Sequence, residues 1–315
     1  MATYLITGIA GFIGSALARG VLAQGDQVRG IDNLSTGKRE NLAEIIDRVD
    51  FRVADLLDLE TLNTVCRGVD YVFHQAAIPS VPKSVLDPIG SNRANVDGTL
   101  NLLVAARDAK VKRVVYAASS SAYGDTPTLP KREDMTPNPI SPYAVAKLAG
   151  EQYMISFYRC YGLETVCLRY FNIFGPRQDP SSPYSGVLAK FAKQMLKGEQ
   201  PTIFGDGLQS RDFTYIDNAV SANLLACKAP AEAVAGRVFN VATGRRVDLN
   251  ETFQILKHIT GFNGAVKYEP ERSGDIKHSL ADLTQSGKNL GYKPIVDFEE
   301  GLRRTVEWYK TQNHI

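Results

Sequence analysis

The sequence predicts a doubly wound α/β fold, a parallel sheet covered by helices on both faces, with a smaller C-terminal α/β lobe. Three observations predict it. Short apolar runs alternate with longer stretches of helical spacing through the first half of the 315 residues. A glycine-rich turn, Gly8-Ile9-Ala10-Gly11-Phe12-Ile13-Gly14, joins the first apolar run to the first helical one. The second half then breaks this rhythm with Pro176, Pro180, Pro183 and Pro201.

The apolar runs at 4–7, 28–31, 51–53, 71–73, 113–118 and 165–168 read as buried strands. Helical spacing covers 13–23, 92–109 and 143–161. Strand and helix alternating in this way produce parallel strands joined by right-handed crossovers. Residues 1–175 are therefore expected to form the nucleotide-binding unit, with later segments returning to it. Residues 176–315 are expected to form mainly a lobe over the carboxyl ends of the strands, where open α/β sheets bind ligands.

Composition narrows the function. With 36 Lys plus Arg against 34 Asp plus Glu, the net charge of +2 gives no electrostatic footprint for nucleic acid. Hydrophobic residues make up 44% and charged residues 22%, which excludes a disordered chain. No apolar run approaches the ~20 residues that span a bilayer, and the first residues lack the basic start of a signal peptide. Cys66, Cys160, Cys167 and Cys227 show neither a C-x-x-C pair nor metal-ligand spacing. They are expected as buried small hydrophobes in a reducing cytoplasm, and no metal is expected.

The glycine turn carries the first chemistry. Gly8 permits the tight turn, Gly11 the close approach of a pyrophosphate, and Gly14 close packing of helix on sheet. The second strand ends in Gly30-Ile31-Asp32-Asn33, 18 residues after Gly14, placing Asp32 to accept both adenosine ribose hydroxyls. That acid favours NAD over its 2′-phosphorylated relative. Turn, strand and acid together make the fold Rossmann-type. Asp55 could accept from the adenine amino group or simply cap a helix. Gln75-Ala76-Ala77 ends the fourth strand with small residues suited to backbone beside a cofactor, whereas His74 reads as a satisfied interior histidine.

A second constellation follows the fifth strand. Tyr143-Ala144-Val145-Ala146-Lys147 puts a phenol and an ammonium on one helix face. A phenol titrates near ~10, and a neighbouring cation is expected to lower that value towards the working range of a base. The strand before it ends in Ser119-Ser120-Ser121-Ala122-Tyr123-Gly124, serines that can orient a substrate hydroxyl.

Together, Gly8-x-x-Gly11-x-x-Gly14, Asp32, the serines before Tyr123-Gly124, and Tyr143-x-x-x-Lys147 resemble the extended short-chain dehydrogenase/reductase family, and within it the nucleotide-sugar 4-epimerases. The resemblance covers nearly the whole chain. It implies a tightly bound NAD touched by Phe12, Ile13, Asn33, Ser35, Thr36, Gly37, Leu56, Asn95 and Tyr170 besides the residues already named. It implies a UDP-sugar substrate, with Asn172 on the diphosphate or sugar and Arg211 and Arg272 as phosphate clamps. Asp275 would take the uridine ribose, while Ser80, Ser84, Ser120, Ser121, Val187 and Ser279 are expected about the sugar nucleotide. Family spacing selects Ser119 as the catalytic serine beside Tyr143 and Lys147.

The implied reaction inverts C4 of the sugar through a 4-keto intermediate. The dehydratases of this family carry an Asp-Glu pair where Ser120-Ser121 stand, so elimination is disfavoured. A UDP-glucuronate epimerase or decarboxylase is the nearer alternative. A non-catalytic NAD-binding regulator would lack Tyr143 or Lys147, and both are present. Ser279, small where plain-hexose enzymes often carry tyrosine, implies room for a 2-acetamido group. The family's usual homodimer would pair helices at 95–109 and 144–161 through Leu100, Leu103, Val104, Tyr153, Phe157 and Tyr161.

Overall fold

The computed structural model describes residues 1–179, 186–271 and 277–311. The first unit runs β1 (Thr3–Thr7), α1 (Phe12–Ala23), β2 (Gln27–Asp32), β3 (Val49–Val53), α2 (Leu59–Val65) and β4 (Tyr71–His74). It continues through α3 (Val81–Leu86), α4 (Pro88–Asn92), α5 (Gly98–Asp108), β5 (Arg113–Ser119), α6 (Pro142–Tyr161) and β6 (Glu164–Tyr170). Beyond it come β7 (Ile173–Phe174), α7 (Val187–Leu196), β8 (Thr202–Phe204), β9 (Ser210–Asp212), β10 (Thr214–Tyr215) and α8 (Ile216–Lys228). The chain closes with α9 (Ala231–Val234), β11 (Arg237–Val241), β12 (Arg246–Asp248), α10 (Leu249–Thr260), β13 (Lys267–Glu269), α11 (Thr284–Leu290) and α12 (Phe298–Thr311).

Seven strands form one parallel sheet in the order β11-β6-β5-β4-β1-β2-β3. This is the Rossmann-type arrangement, and it is closed at one edge by β11, a strand that returns from beyond residue 175. The order reverses between β1 and β4, which opens a crevice at their carboxyl ends. One sheet face buries Leu17 and Val21 of α1 against Ala222 and Ala226 of α8. The other buries Leu62, Leu102, Leu103, Met154 and Phe157 of α2, α5 and α6. A separate aromatic core, with Phe174, Phe213, Phe253 and Phe298, holds the lobe over the crevice.

Two expectations need revision. The segment 92–109 is not one regular helix: α4 and α5 are separated by a π-type turn over Arg93–Asp97. There Asn95 turns inward and brackets Ile78, accepting from its N–H (2.8 Å) and donating to its carbonyl (3.3 Å). Cys66, Cys167 and Cys227 are buried thiols, but Cys160, near the end of α6, is exposed. Among the described residues, no helix is long and apolar enough to cross a membrane, and no cluster of three or more metal-ligating side chains occurs.

Candidate active site

The sheet's carboxyl edge opens into a cavity of about 1510 Å³, bordered by the glycine turn, the ends of β2, β4, β5 and β6, and the lobe. Its dinucleotide end is shaped by absent side chains. Gly8 lies at φ +68°, and a Cβ there would come 2.8 Å from Ala76 backbone. A Cβ on Gly14 would sit 2.1 Å from the Gly8 carbonyl oxygen, so only glycine lets α1 start this close to β1. The N-terminus of α1 thus faces the cavity with its amides, the usual cradle for a pyrophosphate.

Asp32 is held ready at the end of β2. Its carboxylate accepts from the amides of Leu34 (2.8 Å) and Ala10 (3.0 Å). Burial pushes its carboxyl up from the ordinary value while these two amides pull it down. Asp55 does not cap α2, a role taken by Asp58 through the Thr61 amide at 3.0 Å. Instead Asp55 accepts from the Asn33 side chain (2.7 Å) on the cavity rim. At the floor, Tyr170 Oη donates to Gln75 (3.3 Å) and accepts from Asn223 (2.7 Å). This cradle and acid fit a dinucleotide with a free 2′-hydroxyl.

The opposite end holds the Ser/Tyr/Lys cluster. Ser141 caps α6 by accepting from the Ala144 amide (3.2 Å), and Pro142 occupies the first helical position, where its missing N–H costs nothing. Tyr143 and Lys147 follow one turn apart and both line the cavity. Lys147 Nζ donates to the Ala117 carbonyl (2.9 Å) and lies 4.9 Å from the centre of the Tyr116 ring. Burial lowers its ammonium to about 7. Burial raises the Tyr143 phenol, opposed by its hydrogen bond with the Ser119 side chain. The protein alone therefore does not lower this phenol as the Tyr/Lys spacing suggested. The reason is that desolvation penalises the phenolate and also weakens the charge of Lys147.

Of the three serines, Ser119 is the one whose side chain acts on the Tyr143 phenol, and it accepts from the Ser121 amide (3.1 Å) and hydroxyl (2.8 Å). Ser120 and Ser121 line the cavity beside it. His74 is buried between Thr7 (2.8 Å) and Thr99 (2.9 Å), an interior histidine as expected.

The lobe closes the far side. Asn172 adopts a left-handed conformation at φ +40° and donates to the Asp212 carbonyl (3.0 Å), with Ser279 Oγ at 3.5 Å. Arg211 and Ser279 line the cavity. So do Phe12, Ile13, Ser35, Thr36, Leu56, Ala77 and Ser80.

Four predicted residues are not among its lining. Gly37 packs against the Asp32 carboxylate, where a Cβ would come within 2.8 Å of an oxygen. Asn95 is occupied by Ile78, and Ser84 is fully buried behind the wall. Val187 opens α7 and packs into the lobe's core. Arg272 and Asp275 lie outside the described residues.

The cavity also includes Lys38, Arg93, Lys131, Arg177 and His278, which the motifs did not single out. Lys131 is buried and donates to the carbonyl and hydroxyl of Thr126, and nothing local in the sequence marks it. Arg177 follows Pro176 directly. His278 Nδ1 meets Ser210 Oγ at 2.9 Å, a pairing across 68 residues.

Comparison with known proteins fits this geometry. The NAD dependent epimerase/dehydratase family matches residues 4–242. The chain is 40% identical to the crystal structure of a UDP-glucose 4-epimerase with UDP-glucose from Thermotoga maritima, covering 99% of this chain and 100% of that one with a TM-score of 0.94. It is 42% identical to a UDP-N-acetylglucosamine 4-epimerase from Methanobrevibacter ruminantium in complex with UDP-N-acetylmuramic acid, covering 99% of each chain with a TM-score of 0.93. It is 39% identical over 311 residues to a putative UDP-glucose 4-epimerase of Methanocaldococcus jannaschii, spanning 98% of this chain and 99% of that relative. A glycine cradle, the buried Asp32 carboxylate and a Ser/Tyr/Lys cluster in one cavity, with likeness to these enzymes along nearly the whole chain, make the chain a member of the NAD-dependent epimerase/dehydratase family, with NAD as its cofactor.

Proposed function

We propose that the protein is a UDP-sugar 4-epimerase acting on UDP-GlcNAc/UDP-GalNAc and on UDP-Glc/UDP-Gal. The observation that carries this reading is the convergence of Ser119, Tyr143 and Lys147 on the same cavity as the glycine turn and Asp32. Bound NAD supplies reversible hydride acceptance and a positive charge that favours the phenolate. Asp32 holds the adenosine ribose, the start of α1 the pyrophosphate, and Lys147 the second ribose.

Tyr143 takes the proton of the sugar 4-hydroxyl, while Ser119 hydrogen-bonds the same oxygen and keeps it in line. Loss of the C4 hydride together with that proton leaves a 4-keto sugar, which turns about its diphosphate link; hydride returns to the opposite face of C4 as Tyr143 gives the proton back to the oxygen. Arg211 and Asn172 anchor the diphosphate throughout, with Arg272 and Asp275 proposed for the same region. Ser80, Ser120 and Ser121 offer hydroxyls to a sugar that has to be held in two orientations. An anionic ligand in the cavity also favours the charged form of Lys147.

The breadth of substrate rests on Ser279, whose small side chain stands beside Asn172. Ser279→Tyr is expected to cut turnover of the acetamido sugars at least tenfold and to spare the plain ones, the scale on which a filled pocket discriminates (about 10–200-fold). Equal losses on both would remove the size argument.

The direct test incubates the purified protein with each UDP-sugar without added NAD and follows C4 epimers by NMR. Epimer formation is expected with retained cofactor. Turnover of UDP-glucuronate alone would transfer the assignment to the uronate branch, where the buried Lys131 ammonium offers the cation that a carboxylate needs.

We further propose a homodimer through α5 and α6. Leu103 and Phe157 belong to the protein's own core, so the pairing surface reduces to Leu100, Val104, Tyr153 and Tyr161.

A further inference from the structure

Ser84 sits on α3, directly behind the cavity-wall residues Ile78, Pro79, Ser80, Val81, Pro82 and Lys83. It is 0% exposed, so it touches no ligand. Its hydroxyl donates to the Val81 carbonyl (2.7 Å) and accepts from the Tyr143 N–H (3.0 Å). The second bond is the informative one. Helix α6 begins at Pro142, which has no N–H, so the Tyr143 amide is the first donor of the helix and has no partner within it. Ser141, the local cap, accepts from Ala144 instead. The amide of Tyr143 is therefore satisfied from 59 residues away, by an element of the sugar-facing wall.

We propose that Ser84 is a positioning residue for the reaction: it ties the main chain of Tyr143 to the cavity wall and so fixes where the phenol meets Ser119 and the sugar. The inference rests on the reading of Tyr143 as the proton acceptor. The wall is itself anchored, because Asn95 brackets both polar groups of the Ile78 backbone. Asn95, Ile78, Ser80, Ser84 and the Tyr143 main chain thus form one hydrogen-bonded chain from the widened turn before α5 to the residue that carries the phenol. The arrangement suits an enzyme whose substrate turns over in the cavity. A base held through its backbone keeps its place while the sugar is free of the wall.

The test separates positioning from binding. Ser84→Ala is expected to lower kcat by roughly 10–100-fold, the scale of a misplacement approaching 1 Å. KM for the UDP-sugar should stay within about twofold and the retained NAD should be unchanged, since the hydroxyl contacts neither. Ser84→Thr, which restores the hydroxyl, should recover most of kcat.

In the unaltered protein, hydrogen exchange at the Tyr143 amide should be slowed as for an interior helical amide, although its position in the helix would otherwise leave it open. This measurement stands even if Ser84→Ala does not fold. A fast-exchanging Tyr143 amide, unchanged kcat in Ser84→Ala, or parallel loss of kcat, substrate affinity and NAD would each overturn the proposal. Tyr143→Phe distinguishes the two readings. If it retains turnover, the assignment of the base fails. If it is inactive while Ser84→Ala is unimpaired, only the tether fails.

Discussion

His74 and Lys147 show how burial shifts the charge of a side chain. Burial, with the Lys147 charge adding to it, lowers the imidazole of His74 to about 3 from 6.5. The unfolded chain binds a proton at His74 below about pH 6.5 and the native one does not, so stability from this group is full above 6.5 and lost on acidification towards 3. Each pH unit in that window removes up to ~1.4 kcal/mol. His74→Gln, which can still meet Thr7 and Thr99, is expected to flatten the acid slope of a melting-temperature profile. An unchanged slope would mean that other groups set it.

Lys147 has the same sign in a higher pH window. Its native value of about 7 lies below the unfolded ~10.4, so its burdened ammonium costs most below pH 7 and least above 10. Lys147→Met in NAD-stripped protein should raise the melting temperature at pH 6 by a few degrees and less at pH 9, and the same variant supplied with NAD should not epimerise. The gain is limited because the Ala117 carbonyl loses its donor, at about 1–3 kcal/mol. The Tyr/Lys pair was legible as a spacing on one helix face. The state of its charges was not, because desolvation is set by what the fold puts around them.

At the scale of elements, the central strands β1, β4, β5 and β6 were the easiest to read, since each is an apolar run buried along nearly its whole length, unlike the exposed edge strand β3. The start of α1 was equally plain through its glycines, whereas the Ser141-Pro142 start of α6 emerged only from the structure. Gly14→Ala tests the first. A methyl placed 2.1 Å from the Gly8 carbonyl forces α1 away from β1, so the purified variant should lose most of its bound NAD absorbance and melt several degrees lower. Retention of NAD would show that α1 can shift without losing the cradle.

The widened turn at Arg93–Asp97 was illegible, because its cause, the grip of Asn95 on Ile78, joins residues that have no common signature in the sequence. Asp55 failed as a helix cap for a similar reason. Asp58 competes for that role three residues later, and side-chain geometry decides between them.

For the whole molecule, the proposed dimer gives a measurable mass. Leu100→Asp combined with Tyr161→Asp should convert it to a monomer by light scattering while leaving the fold intact, as both side chains are at least partly solvent-facing. A monomeric parent protein would remove the dimer altogether.

The sequence by itself determined the doubly wound class and made the glycine turn legible, because each is written in short stretches of chain; Asp32, Tyr143 and Lys147 stood out by position and spacing, and Ser119 through the family resemblance. Only the tertiary structure decided that β11 closes the sheet, that Arg177, Lys131 and His278 border the cavity, and that Ser84 holds Tyr143 rather than a ligand. Those outcomes depend on segments that meet across tens to more than a hundred residues. There, packing of the whole core, and no local propensity, selects which polar groups face each other.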